Sequence, residues 1–469
     1  MRIQGIIILF LIGGIMENKI KKNEEYVVDI IDNGFTGEGI AKIDGFTIFI
    51  PNLIKGEKAK IKILKVLSSH AFGKVIEILK KSPVRKDVDC DTFYKCGGCS
   101  LRYVNYENTL NIKKEAVLSV FKKNYGKEIE IDEVLGMENP YNYRNKLQYP
   151  IGIGQDGKTV MGVFKERTHE IIETSCCLIQ NKDAEEVALF IYDFVKRNNI
   201  NVYNEKTLQG SLRHVIVRIG IKTDEIMVTL VSKDKKIEKE KELVKEITNR
   251  FSKVKVIVKN INNKNTNVIL GKENIVLFGE GNIYDYIGEY KFKISPMSFY
   301  QVNPVQTEKL YSKAVEYAKL TGNETVYDLY CGIGTIGIFA SKNVKKLYGI
   351  ETVPEAIEDA KFNAKLNNIE NAEFFVGDVE NVLPKFIKET DELPDVVFVD
   401  PPRKGCDKTA LETLLKIEPK KIVYVSCNPA TLARDVKILE EKYELKKVSL
   451  VDMFPFTHHV ECVAVMSIK

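Results

Sequence analysis

The sequence holds no apolar run long enough to cross a bilayer. Its best candidate, "GIIILFLIGGI" near the start, falls well short, and no small-residue cleavage site of the A-x-A kind follows it. These absences point to a cytoplasmic protein with no membrane partner. There is no internal repeat and no low-complexity tract, which excludes solenoids and arrays. Nine cysteines in 469 residues are too few and too unevenly grouped for a disulfide scaffold. Strong charge of one sign is missing too: a formal +5 permits a polyanionic partner without requiring one.

Hydrophobic residues make up 44% and charged residues 29%, the balance of a globular protein, and the length calls for two or three domains. Met16 opens "MENKIKKNEEY" in the manner of a cytosolic start, so residues 1–23 are read as an artefactual or disordered extension, with translation beginning at Met16. Residues 24–82 are rich in period-two segments such as "EYVVDIID", "FTIFIPN" and "EKAKIKILKV". Glycines separate these segments, and five short strands of this kind predict a small antiparallel barrel of oligonucleotide-binding type. Residues 83–290 form a mixed α+β stretch that begins with a cysteine loop. From residue 291 to 469, doubly buried strands such as "TVYDLY", "PDVVFVD" and "KKIVYVS" alternate with helical patterns, which predicts an α/β domain with a doubly wound parallel sheet.

Within that last domain, "DLYCGIGTIG" follows a strand and opens a helix, and Gly332, Gly334 and Gly337 fit G-x-G-x-x-G. Glu351 ends the next strand, where an acid can hold both hydroxyls of a ribose. Asp328, Asp378 and Asp400 occupy further strand ends, and strand carboxyl ends face one crevice in such sheets. Several carboxylates suit a cationic sulfonium donor, S-adenosylmethionine, better than a pyrophosphate. Asp328 and Asp378 could instead serve as helix caps.

"VSCNPATLARD" puts Cys427 at the end of an apolar strand and ahead of a rigid Asn-Pro turn. A buried lone cysteine is commonly inert packing, as Cys331, Cys406 and Cys462 would be. At a strand end facing the donor crevice, a thiol can instead act as a nucleophile. Carbon five of uracil accepts a methyl group only when activated, and a thiolate adding to carbon six supplies that activation. A base must then remove the proton from carbon five. "HHVECVAV" offers Glu461, whose apolar neighbours favour a buried carboxylate over a surface one.

Cys90, Cys96 and Cys99 share the loop "CDTFYKCGGCSLRY", and Cys176 or Cys177 in "ETSCCLIQ" could complete a four-thiolate site. Spacing alone leaves zinc and an iron–sulfur cluster both open. Arg144, Lys146, Arg213 and His214 are candidate contacts to nucleic-acid phosphate, or else structural ion-pair partners.

Taken together, "SCNPATLARD", "DPPRKG", "SPMSFYQVN" and "HHVE" resemble the RNA uracil-5 methyltransferase family, in particular the bacterial 23S rRNA type with an N-terminal TRAM domain. The resemblance implies a Rossmann-like methyltransferase domain at 291–469, a TRAM domain at 24–82 and S-adenosylmethionine as donor. It implies Cys427 as nucleophile and Glu461 as base, with the donor held by Gln301, Tyr330, Glu351, Asp378 and Asp400. It also implies a [4Fe-4S] cluster on Cys90, Cys96, Cys99 and Cys177; the long first gap and the fourth cysteine point to a structural cluster rather than a radical-generating one. The substrate implied is a loop uridine of 23S rRNA, modified by a monomer. A transfer-RNA uridine enzyme and a non-catalytic RNA-binding factor are the alternative readings.

Overall fold

A computed structural model describes residues 20–390 and 392–469; of the expected extension over residues 1–23, residues 1–19 lie outside the described residues, while Ile20 is buried in the core of the first unit. The chain divides into two compact units, Met1–Arg85 and Lys86–Lys469.

The first unit is a six-stranded sheet in the order Glu25–Asp29, Lys58–Val66, His70–Lys80, Phe46–Ile50, Gly39–Ile43 and Asp32–Asn33. The sixth strand, beyond the five expected, is the two-residue Asp32–Asn33. Alternate residues of the period-two segments, among them Ile48, Ile50, Ala59, Ile61 and Ile63, form a core sealed from solvent. Asp44 and Gly45 both adopt positive φ (49° and 82°) between Gly39–Ile43 and Phe46–Ile50. That is the two-residue Asp-Gly turn whose twist suits a hairpin.

In the second unit, residues 146–278 supply a seven-stranded mixed sheet. Its two central strands, Leu212–Ile219 and Ile226–Ser232, are buried along their whole length. Helices Lys182–Arg197 and Glu240–Arg250 pack their apolar stripes on one face of it.

The sheet that carries the chemistry follows. Its strands are β1 (Thr325–Leu329), β2 (Lys346–Glu351), β3 (Ala372–Val376), β4 (Val396–Val399), β5 (Lys421–Ser426), β6 (Tyr443–Val451) and β7 (Glu461–Ile468). They lie in the order β3-β2-β1-β4-β5-β7-β6, parallel except for β7. Alternate residues divide between two cores. Val326, Phe398, Val423 and Val425 enter one, while Tyr327, Leu329, Val397, Ile422 and Tyr424 enter the other. Burial on both faces explains why these strands read as continuous apolar runs in the sequence.

Glu133–Leu135 adds an eighth strand to this sheet, parallel to β6. The expected division at 290/291 falls inside a hairpin that pairs Ile283–Ile287 with Tyr290–Ile294. Among the described residues, no helix is long and apolar enough to cross a membrane.

Candidate active site

The carboxyl ends of β1, β2, β4 and β5 open into one cavity of about 560 Å³. It is lined by Gln301, Tyr330, Glu351, Asp378, Asp400, Cys427 and Glu461, which brings together the seven side chains that the family resemblance pointed to. Phe299, Tyr311, Arg403, Phe454 and His459 complete the wall.

The glycine loop is built for close approach. Gly332 and Gly334 take φ of 55° and 81°, and a Cβ at Gly332 would point into open space. The Gly332 amide donates to Glu351 Oε2 at 3.2 Å and the Val353 amide to Oε1 at 2.9 Å, fixing the carboxylate at the tip of β2. Tyr330 also has positive φ, 63°, a strained conformation for an aromatic residue. Of the two readings of Asp328, the structure follows the helix-capping one. This carboxylate does not line the cavity but lies buried beneath the loop, where Oδ2 accepts from the Gly337 amide at 2.8 Å and Oδ1 finds no partner. Burial raises its carboxyl to about 7. Asp378 accepts a hydrogen bond from Thr352 Oγ1 at 2.9 Å.

Cys427 is the first residue past β5. Asn428 caps the helix Pro429–Leu439 by accepting from the Ala430 amide at 3.1 Å. Its Nδ2 donates to the Arg403 carbonyl at 2.9 Å and so ties the S-C-N-P turn to the D-P-P-R loop. Ser426 pairs with Cys462 across the antiparallel ladder, so continuing the register sets Cys427 opposite Glu461. Opposed residues on one face stand about 4.5–5.5 Å apart at Cβ. β7 lies between β5 and β6 and Glu461 is 5% exposed, so the carboxylate is buried rather than at the surface.

Burial first, and Asp400 second, push the Glu461 carboxyl well above its usual range, against a smaller lowering by Arg403. Burial alone raises Asp400 to about 7. The Cys427 thiol is pushed up to about 11, chiefly by burial and then by the nearby Glu461 and Asp400, while Arg403 acts in the opposite direction.

The segment leading into β7 is firmly held. Lys113 and Asp452 form an ion pair buried on both sides, and Tyr106 donates to Asp452 at 2.7 Å. The cysteine loop joins in: the Leu101 amide donates to the Phe456 carbonyl at 2.8 Å, and the His458 amide to Ser100 Oγ at 2.8 Å. Cys99 and Cys177 pack against one small cluster with Tyr143, Ile179 and Phe456, whereas Cys176 is exposed. Burial raises Cys99 to about 12, with Cys177, Cys96 and Cys90 all adding to the rise. The four thiols are therefore electrostatic neighbours. Among the described residues no group of three or more ligating side chains converges as a single metal ion would need.

The four suggested phosphate contacts separate. Arg213 and His214 are buried: Arg213 donates to the carbonyls of Asn262 and Lys264, and His214 has both ring nitrogens unpartnered and falls to about 4 through burial. A buried neutral imidazole does not meet phosphate at a surface. Lys146 sits directly across the ladder from Arg218, which donates to the Ser298 carbonyl at 2.7 Å. Burial, then Arg218 and Arg144, lower the Lys146 ammonium to about 8. None of these three cations forms an ion pair among the described residues.

The fold and the crevice define an S-adenosylmethionine-dependent methyltransferase. Residues 105–469 match the family described as tRNA (Uracil-5-)-methyltransferase, and residues 19–76 match the TRAM domain. The chain belongs to this RNA uracil-5-methyltransferase family. A Clostridium acetobutylicum protein, named an uncharacterized RNA methyltransferase, is 51% identical over 452 residues, covering 95% of this chain and 98% of its own length. A Bacillus cereus protein named in the same way is 48% identical, covering 96% and 98%. A crystal structure of Pyrococcus abyssi tRNA (uracil-54, C5)-methyltransferase with S-adenosyl-L-homocysteine superposes with a TM-score of 0.76 at 28% identity, covering 94% of this chain and all of that one.

Arg403, Phe299 and His459 were not assigned site roles from the sequence, although each lies within three residues of a motif position that was. Tyr311, on a helix with an ordinary amphipathic pattern, gave no sequence signal.

Proposed function

We propose that the enzyme methylates carbon five of a loop uridine in 23S rRNA through a covalent adduct on Cys427, as a cytoplasmic monomer. The observation that carries this reading is that Cys427 and a buried carboxylate, Glu461, line the same crevice close enough for the carboxylate to act on the thiol.

Gln301, Tyr330, Glu351, Asp378 and Asp400 would hold the donor, and the acids gathered around the glycine loop fit its cationic and ribose groups. When bound, S-adenosylmethionine supplies a methyl group on a positively charged sulfur. The Cys427 sulfur bonds to carbon six of the uracil, which drives the ring's electron pair toward carbon five, the carbon that is alkylated. Arg403 favours the thiolate form. Glu461 as carboxylate then takes the proton from carbon five, the carbon–sulfur bond breaks, and the ring double bond returns with release of the thiolate. Its raised basicity suits it to that work at neutral pH.

Arg144 and Lys146, with the buried Arg218 beside them, form a cationic group that has no ion-pair partner among the described residues and adjoins the Ser298–Gln301 segment, and RNA phosphate is the natural counter-charge for the first two. Cys90, Cys96, Cys99 and Cys177 would hold the cluster. Its irons take one thiolate each, so the ligand sulfurs stand farther apart than those around a single ion, in keeping with neighbouring thiols that do not converge on a point.

A transfer-RNA uridine is the second reading, supported by the similarity to the archaeal tRNA enzyme over 94% of the chain. Labelled methyl transfer to undermodified ribosomal RNA and to undermodified tRNA tests both. The proposal expects incorporation into the ribosomal substrate, lost in Cys427→Ala; incorporation only into tRNA would replace it with the second reading.

A further inference from the structure

A second cavity, of about 410 Å³, lies in the central sheet and shares no lining residue with the catalytic one. Its floor is the stretch Pro150–Gly154 at the end of strand Lys146–Ile153. Phe164 forms one wall, with the His169 ring 5.6 Å away. Tyr203 forms the other, and the Arg213 guanidinium lies over its ring at 4.4 Å.

Two acids line the cavity, and both are matched locally: Glu205 approaches Arg213 at 3.4 Å, and Glu170 pairs with Lys165 at 3.0 Å. The interior is therefore close to neutral and does not attract a free anion. It still holds a demand for hydrogen bonding, because the Arg213 Nε is buried without a partner in the protein and the side chain is only 4% exposed. Lys206, exposed at the rim, supplies one cation at the mouth. Aromatic walls, a neutral polar interior and a cation at the entrance match a nucleobase inside with its phosphate outside.

The same strand links this cavity to the catalytic side. Lys146, in the cationic group beside the catalytic segment, and Ile151, in the cavity floor, are five residues apart, about 17 Å along an extended strand. We infer that the cavity receives a second, splayed-out base of the RNA substrate, a short stretch of single strand away from the target uridine. The inference rests on the reading of the substrate as a single-stranded RNA loop.

The test uses the full chain and an undermodified RNA transcript. Loss of one base–aromatic stack in Phe164→Ala should weaken RNA binding roughly 5- to 150-fold. The salt dependence of binding should stay unchanged, and so should adduct formation at saturating RNA. Lys206→Ala should instead lower the salt slope by about one. In the unaltered protein, transcripts carrying 4-thiouridine or 8-azidoadenosine should crosslink to peptides containing Phe164 or Tyr203; this measurement decides alone if Phe164→Ala does not fold. Unchanged RNA affinity in folded Phe164→Ala, or crosslinks confined to other peptides, would overturn the inference and leave the proposed function standing. Failure of the unaltered protein to bind RNA at all would overturn both.

Discussion

Lys146→Met separates stability from substrate binding. Burial beside Arg218 and Arg144 lowers the Lys146 ammonium from 10.5 to about 8. At about 1.36 kcal/mol per pH unit, this loads the folded state with roughly 3 kcal/mol of cost at pH 7. The sign follows from the protons. Below pH 8 the lysine is charged folded and unfolded, and the full cost is present. Between 8 and 10.5 the folded protein has released the proton that the unfolded chain keeps, so the cost fades as pH rises. Lys146→Met should therefore raise the unfolding free energy read from urea denaturation at pH 7, by an amount approaching that figure, and the advantage over the parent should shrink toward pH 10. The same substitution should weaken RNA binding and lower its salt slope by about one, because the cation that burdens the free protein is the one matched by phosphate. A variant no more stable than the parent at pH 7, with unaltered RNA affinity, would refute the argument that this charge is held ready for an anion.

Glu461→Gln should let the methylated base accumulate on the protein as an RNA conjugate resolved on denaturing gels, since nothing then removes the proton from carbon five. In the parent, turnover should rise with pH along a limb lying above the ordinary carboxylate range, because Glu461 must be ionised to act and its folded-state value is raised; the limb should vanish in Glu461→Gln. Asp452→Ala should destabilise the protein by about 3–5 kcal/mol, read from denaturation, by leaving Lys113 charged and buried alone. Cys99→Ser should abolish the iron and sulfide content of anaerobically purified protein.

Much of the site was legible because its parts lie at strand ends, where a motif and its position in the fold coincide. Cys427, Asp400, Glu351 and Tyr330 each close or follow a strand that announces itself by burial on both faces. Glu461 was legible as a chemical partner but not as a neighbour. That it faces Cys427 depends on a ladder register between segments 34 residues apart in sequence, and register is decided by packing. Asp328 had two readings in the sequence, crevice acid and helix cap, and the structure follows the second, since a strand-end acid can turn toward the following helix's amide as readily as toward a ligand. Arg213 and His214 look like surface cations in the sequence, but their strand is covered on both faces, a tertiary fact with no local signature. The strand Glu133–Leu135 is three residues long and joins a sheet whose other members begin almost two hundred residues later, so no local pattern could announce it.

The sharpest test of the central claim is to incubate the enzyme and S-adenosylmethionine with RNA carrying 5-fluorouridine at the target, then map the product by mass spectrometry. The fluorine cannot leave as a proton, so the account expects a stable conjugate through the sulfur of Cys427, already methylated at carbon five. Methyl transfer to unmodified RNA with no conjugate from the fluorinated one, or full turnover by Cys427→Ser, would contradict it.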